Sequence, residues 1–165
     1  KYEINGEKVY YFSYLFLKCN SSLSPKTKLN IVTKAIEKVQ NDNLDEYTAT
    51  EAKMRAKSII REELERNGGF VVEDLADKVF EEQPDMRNAF QEKMEKYDMV
   101  KQEVIPQNEV TVRKYQKQHL YTDSGIEIKI PMDCYSDSDR VEFITNPDGT
   151  VSVLIKNIGH LEAKY

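Results

Sequence analysis

The sequence is poor in the residues that usually mark an active site or a metal site. Its two cysteines, Cys19 and Cys134, lie far apart and form no CxxC pair, so neither a zinc site nor a disulfide framework is indicated. The two histidines, His119 and His160, have no serine, cysteine or aspartate nearby in a triad-like arrangement. The six glycines fall at turns and form no phosphate-binding loop. We therefore expect no enzyme, no cofactor and no metal site.

Long apolar runs and a positive net charge are also missing. The longest apolar run, residues 9–17, is interrupted by Ser13 and is far shorter than the roughly 20 residues of a membrane helix. The net charge of −5 argues against a protein that coats nucleic acid with its whole surface, since such binding depends on Lys and Arg neutralising phosphates. Any basic face must therefore be local. The chain begins at Lys1, without an initiator methionine, directly in a strand-like run, which predicts a piece of a longer protein.

Hydrophobic periodicity predicts two long helices. Ser24 followed by proline is typical of a helix start, and the apolar stripe beyond it predicts a helix over residues 25–42. A second helix is predicted to begin at Thr48, where Glu51 would complete a capping box. The Gly68-Gly69 pair predicts its end, because glycine accepts the left-handed conformation that follows a helix.

Shorter elements surround these helices. Asn5-Gly6 predicts a two-residue hairpin turn near the start of the chain. Residues 73–82 and 84–97 have the apolar spacing of two short helices. The second of these is net acidic, which is unlike a helix that reads a DNA groove. Residues 101–109 lack periodicity, and we place a linker there.

Period-two alternation predicts β structure in the last third of the chain. A strand near residues 111–121 is followed by one over residues 126–130, and a Pro-Asp-Gly turn separates two further strands. The predicted fold class is α+β, a helical subdomain followed by a small antiparallel β-sheet subdomain. The predicted limits are residues 1–100 for a hairpin and four helices, 101–109 for the linker, and 110–165 for an antiparallel β meander.

A row of basic residues on the second predicted helix is the first candidate for nucleic-acid binding. Lys53, Lys57 and Arg61 recur every four residues and therefore share one helix face. Like charges at this spacing oppose helix formation by roughly 0.2–0.5 kcal/mol per pair. The row therefore needs either a phosphate partner or acidic neighbours. Glu65, one turn beyond Arg61, favours the second alternative.

The basic and aromatic segment over residues 113–121 is the second candidate. On a strand its alternate residues would share one face, so cations that bind phosphates would lie beside rings that stack on bases. The alternative is an edge strand whose Lys and Arg residues block pairing with other strands. The predicted phosphate contacts are Lys53, Lys57, Arg61, Arg113, Lys114 and Lys117, and the predicted base-stacking residues are Tyr115 and Tyr121.

One polar loop comes nearest to a cation site. It contains Asp133, Asp137 and Asp139, whose carboxylates would have to converge in a metal-dependent enzyme. Calcium needs about six to eight oxygen ligands and usually a glycine-bearing loop, and this loop has no glycine. A solvated loop is the alternative interpretation.

Four short segments mark the C-terminal third of the chain. They are GIEI at 125–128, VEF at 141–143, NPDGT at 146–150 and IKNI at 155–158. These segments resemble the closing region of the bacterial 37-kilodalton nucleoid-associated proteins, and the aromatic run of residues 9–15 is similar to the middle region of that family. The resemblance implies the C-terminal half of a longer, non-catalytic protein of the bacterial cytoplasm and nucleoid.

The same resemblance implies double-stranded DNA as the partner. Because the chain is acidic and contains no recognised base-reading module, we expect weak contact through phosphates, without sequence specificity. The alternative is a structural or self-association module, a homo-oligomer whose DNA contacts lie in an N-terminal half outside this chain. No membrane partner is expected.

Overall fold

A computed structural model describes residues 2–4, 7–9 and 23–163 of the chain. Strands β1 (Tyr2–Ile4) and β2 (Glu7–Val9) pair antiparallel, with Ile4 opposite Glu7. This pairing is the one expected of the predicted hairpin, although its Asn5-Gly6 turn lies outside the described residues. Cys19 and most of the aromatic run of residues 9–15 lie outside them as well.

The two long helices are present, and the start of the second one differs from the prediction. Helix α1 (Pro25–Asn43) begins at Ser24, whose hydroxyl accepts a hydrogen bond from the backbone of Thr27. Helix α2 (Glu46–Asn67) is capped by Asp45, which accepts 3.1 Å bonds from the amides of Tyr47 and Thr48. The predicted capping box at Thr48 is therefore wrong. The negative charge of Asp45 suits the positive end of the helix dipole better than a neutral hydroxyl does.

Two short helices and a small sheet follow. In chain order these elements are β3 (Phe70–Val71), α3 (Val72–Val79), α4 (Pro84–Glu95) and β4 (Glu103–Val104). The predicted helices are confirmed, with somewhat earlier ends. The segment predicted as a linker contributes β4, which pairs antiparallel with β3. The side chain of Val104 is fully buried, because it belongs to the same core as the helices.

The core lies among α1 to α4. Phe80 and Phe90 pack with their ring centroids 5.7 Å apart. Burying one such apolar side chain contributes roughly 1.5–3 kcal/mol, so this cluster holds the helices together. Other buried members are Leu29, Val32, Ile36, Ile60, Leu75, Met94 and Met99.

The C-terminal part forms two separate hairpins. Its elements are α5 (Glu109–Arg113), β5 (Lys117–Tyr121), β6 (Glu127–Pro131), α6 (Met132–Tyr135), β7 (Val141–Thr145) and β8 (Val151–Ile155). Strand β5 pairs antiparallel with β6, and β7 with β8. The predicted α+β class is thereby confirmed. Within residues 23–163, however, no pairing joins β6 to β7, so the strands do not form one continuous meander.

The predicted strand near residues 111–121 is wrong in its first half. The side chain of Asn108 accepts a 2.8 Å hydrogen bond from the amide of Val110 and caps α5. After this helix the chain turns inward at Tyr115, whose hydroxyl shares a 3.0 Å hydrogen bond with Thr33 of α1. The strand then begins only at Lys117. These contacts place the start of β5 against α1 and α2.

Candidate nucleic-acid interface

A cleft of about 380 Å³ lies where α1, α2 and the start of β5 meet. Its apolar lining includes Ile36 and Ile60, both almost fully buried. Its basic lining residues are Lys53, Lys57, Lys114 and His119, and among the described residues that line it Glu37 alone is acidic. The cleft therefore combines an apolar interior with a mainly basic edge.

Helix α2 brings Lys53 and Lys57 to this cleft. Both are half-buried and line the cleft. The ammonium of Lys57 donates a 2.6 Å hydrogen bond to the backbone carbonyl oxygen of Lys117. Burial lowers the pKa of Lys57. Lys57 thus links α2 to β5, whereas Lys53 has no hydrogen-bonded or ion-paired partner in residues 23–163.

Two more lysines, Lys114 after α5 and Lys117 at the start of β5, lie at or next to the cleft. Lys114 lines the cleft, and Lys117 is tied to it through its own carbonyl oxygen. Both side chains are exposed, and neither is paired with a carboxylate in the part of the chain that the structure describes. Arg113 instead pairs with Glu109 on α5 at 3.5 Å.

Arg61 is separated from this group by its own partners. Its guanidinium lies 2.9 Å from a carboxylate oxygen of Glu65 and 2.5 Å from one of Asp133. Burial alone would lower the pKa of Arg61, but the hydrogen bonds to Asp133 and Glu65 raise it overall. Acidic neighbours therefore balance the charge of Arg61, which is the alternative that Glu65 favours in the sequence. Arg61 is consequently less available to a phosphate than Lys53.

The two tyrosines lie in opposite environments. Tyr115 is buried in the core, and burial raises the pKa of its hydroxyl. Tyr115 also lines the cleft, so its stacking on a base stays a prediction. A shared strand face for residues 113–121 is wrong, because α5 interrupts the strand. Tyr121 is 74% exposed, and its hydroxyl donates to Glu127.

The acidic loop does not assemble a cation site. Asp133 pairs with Arg61, and Asp137 pairs with Arg140 at 3.2 Å. Asp137 also accepts a hydrogen bond from the backbone amide of Asp139. Among the described residues no three His, Cys, Asp or Glu side chains are grouped so that they could hold a metal ion. The carboxylates therefore lack the convergence that the metal-dependent interpretation requires.

Sequence reasoning did not single out Gln40, which lines the interior of the cleft. Gln40 is 2% exposed, and its side-chain oxygen Oε1 has no hydrogen-bond partner among the described residues. The signal in the sequence is a polar residue four positions after Ile36, on the apolar stripe of α1. A polar residue at a core position of a helix needs a hydrogen-bond partner, which can be another protein group, an ordered water or a ligand.

Comparison with known proteins gives one family. A family model described as nucleoid-associated protein YejK matches residues 2–161. This match confirms the family predicted from the C-terminal segments. No curated protein and no solved structure matches the chain. In the described part of the chain, none of the helices combines the length and the apolar character needed to cross a membrane.

Proposed function

We propose that this chain, which belongs to the nucleoid-associated protein YejK family, associates with double-stranded DNA in the cytoplasmic nucleoid of bacteria, weakly and without catalysis. The contacts are made to phosphates. The observation that supports this is that Lys53 and Lys114 line one cleft and that Lys117 adjoins it through its backbone, all three without a carboxylate partner among the described residues. Lys53 and Lys114 at the cleft, with Lys117 beside it in the chain, supply the local basic charge that an acidic chain needs.

The identity of these cations favours contact without sequence specificity. Lysine presents a compact charge on a flexible stem, which suits a phosphate oxygen. Bidentate reading of a guanine edge is typical of arginine, but Arg61 and Arg113 are both paired with carboxylates. Phosphate contacts set position on the duplex and are insensitive to sequence. The net charge of −5 keeps the association weak.

Fluorescence anisotropy with a mixed-sequence duplex tests this function. Each lost phosphate contact lowers the slope of log affinity against log salt by about 0.9. We therefore expect replacement of Lys53, Lys114 and Lys117 by alanine to flatten the salt dependence measured between about 50 and 200 mM salt. The matched control replaces three exposed lysines elsewhere and removes the same charge. These control residues are Lys26, Lys96 and Lys101.

Two outcomes would contradict the proposal. If the duplex does not bind even at the lower salt concentration, this chain does not contact DNA. An equal change of slope in both triple variants would show that net charge, and not the cleft, determines the affinity.

A second candidate function is self-association as a structural module, with DNA contact made elsewhere. The hairpin of β7 and β8 supports it, because large apolar side chains are exposed there and such patches typically mark interaction surfaces. They are Ile144, Val151, Leu154 and Ile155, each 39–56% exposed. Analytical ultracentrifugation tests this function. A monomer at high protein concentration would rule it out.

A further inference from the structure

We infer that the cleft between α1, α2 and β5 binds one unpaired nucleotide, with its base in the apolar interior and its phosphate at the lysines. The inference rests on the proposed function, because both use Lys53 and Lys114. It goes further because it places a base inside the cleft. Contact with duplex phosphates would involve only the lysines at the edge.

The size and lining of the cleft suit a base. Its volume of about 380 Å³ lies in the range of sites that bury a small organic ligand, roughly 300–1,000 Å³. Ile36, Met54 and Leu120 line it and can cover the faces of a planar ring. In a duplex the bases are stacked and paired, so only an unpaired base could enter such an interior.

The unpartnered amide of Gln40 points to a ligand with a hydrogen-bond donor. A buried amide oxygen is normally paired, yet Oε1 of Gln40 has no partner in the part of the chain that the structure describes. A glutamine amide presents an acceptor and a donor side by side and can pair with the edge of a base, as in the bidentate recognition of adenine. Because Oε1 is itself enclosed, this pairing requires the Gln40 side chain to turn toward the cleft. The neighbouring amide of Gln118 is unavailable for this role, since its Nε2 donates to the carbonyl oxygen of Met54.

The charges at the cleft suit the phosphate of the same nucleotide. Lys57 already donates to a backbone carbonyl, which leaves Lys53 and Lys114 for the ligand, with His119 beside them. Glu37 is the one opposing carboxylate among the lining residues. A phosphate without a base would engage only these cations and leave Gln40 unsatisfied. The ligand class is therefore a nucleotide, either free or unpaired within a strand.

The first test uses the unaltered, full chain. Isothermal titration calorimetry at low salt compares adenosine 5′-monophosphate with ribose 5-phosphate, which lacks the base. We expect the nucleotide to bind about tenfold more tightly, the scale of discrimination that one good amide–base pair provides. Equal affinities, or no binding of the nucleotide, would overturn the inference.

The second test replaces the amide. Gln40→Leu keeps a side chain of similar size and should weaken binding of adenosine 5′-monophosphate about tenfold, with binding of ribose 5-phosphate and duplex unchanged. Gln116→Leu, at an exposed position outside the cleft, is the matched control. Unchanged nucleotide affinity in Gln40→Leu would contradict the inference. Because the first test needs no variant, it stays decisive even if Gln40→Leu folds poorly.

A short oligodeoxyadenylate and a fully paired duplex complete the comparison. If the oligonucleotide binds in the cleft, the natural ligand is an unpaired nucleotide within a strand. If the mononucleotide binds and the oligonucleotide does not, the natural ligand is a free nucleotide. Either result supports the inference. If the duplex binds but the mononucleotide binds no better than ribose 5-phosphate, the inference fails and the proposed function stands. If the duplex does not bind, the proposed function fails whatever the mononucleotide does.

Discussion

The side chain of Gln118 donates a 2.9 Å hydrogen bond from Nε2 to the backbone carbonyl oxygen of Met54, and both residues are buried. The bond joins the start of β5 to the middle of α2 across 64 positions of sequence. Lys57 lies one turn further along α2 and donates to the neighbouring carbonyl of Lys117. Two hydrogen bonds therefore hold the two sides of the cleft at a fixed separation.

Replacing Gln118 by methionine should lower the free energy of unfolding by about 1 kcal/mol, the typical net contribution of one such hydrogen bond. Methionine keeps the side-chain length and removes the donor. Urea denaturation followed by circular dichroism measures the change. The same replacement at exposed Gln116 should change stability by less than about 0.5 kcal/mol. Equal effects at the two positions would show that the buried bond does not stabilise the junction.

Arg61 and Lys53 should give opposite results when each is replaced by alanine. Arg61 is only 17% exposed and contacts two carboxylates, so we expect a loss of about 1 kcal/mol in stability through packing and charge. The salt dependence of DNA binding should stay the same. For Lys53→Ala we expect stability within about 0.5 kcal/mol of the parent and a smaller salt slope. Denaturation and anisotropy on the same preparations separate these outcomes, and a smaller slope for Arg61→Ala would assign that residue to DNA.

Glu63 should contribute stability that depends on pH. A hydrogen bond from Lys78 at 2.5 Å, with a smaller contribution from Asn67, lowers the pKa of Glu63 below its ordinary value of 4.5. A carboxylate whose pKa is lower in the folded state stabilises the protein above its unfolded pKa. This stabilisation is lost as the pH falls through the lower, folded value.

Glu63→Gln should therefore lower the free energy of unfolding by about 1 kcal/mol at neutral pH, and the difference from the parent should shrink below pH 4.5. Urea denaturation at several pH values measures it. Glu62→Gln, at an exposed neighbouring position, is the control. If the difference in free energy of unfolding between Glu63→Gln and the parent stays constant down to the lowest pH at which the protein folds, ionised Glu63 does not provide this stabilisation.

The adjacent glycines after α2 should differ in their response to alanine. Gly68 has a φ of +71° and open space around it, so Gly68→Ala should cost about 1 kcal/mol through the left-handed conformation. A Cβ at Gly69 would meet the carbonyl oxygen of Val104 and lie 2.9 Å from Ile105 Cγ1. We expect Gly69→Ala to cost more, about 2–3 kcal/mol, because backbone must move. Thermal or urea unfolding measures both changes. A larger loss of stability in Gly68→Ala than in Gly69→Ala would show that the backbone does not approach Gly69 this closely.

The helices that local chemistry specifies were predictable from the sequence. Ser24 begins α1 as expected because a cap acts within its own helical turn. For α2 the sequence pattern predicted a cap at Thr48, whereas the structure has Asp45 in that role, three residues earlier. In α5 the alternating Val110 and Val112 indicate a strand, since a helix of five residues is too short to display a helical period.

The candidate site was predictable only where its residues share one element. The spacing of Lys53 and Lys57 places them together on α2 without further information. The approach of Lys117 to Lys57 spans 60 positions, and the pairing of Arg61 with Asp133 spans 72. No local sequence pattern predicts a contact between residues so far apart in the chain. The unsatisfied amide of Gln40 likewise depends on how α1 is covered by other elements.

The pairing of β3 with β4 determines where the protein can be shortened. Phe70 lies opposite Val104, the amide of Val72 donates to the carbonyl oxygen of Gln102, and the ammonium of Lys28 reaches the Gln102 side chain. A chain truncated after residue 100 would lose all three contacts and uncover Phe70. Proteases should accordingly cut slowly between residues 102 and 104, despite the irregular sequence there. A helical fragment that keeps its fold must therefore extend past Val104.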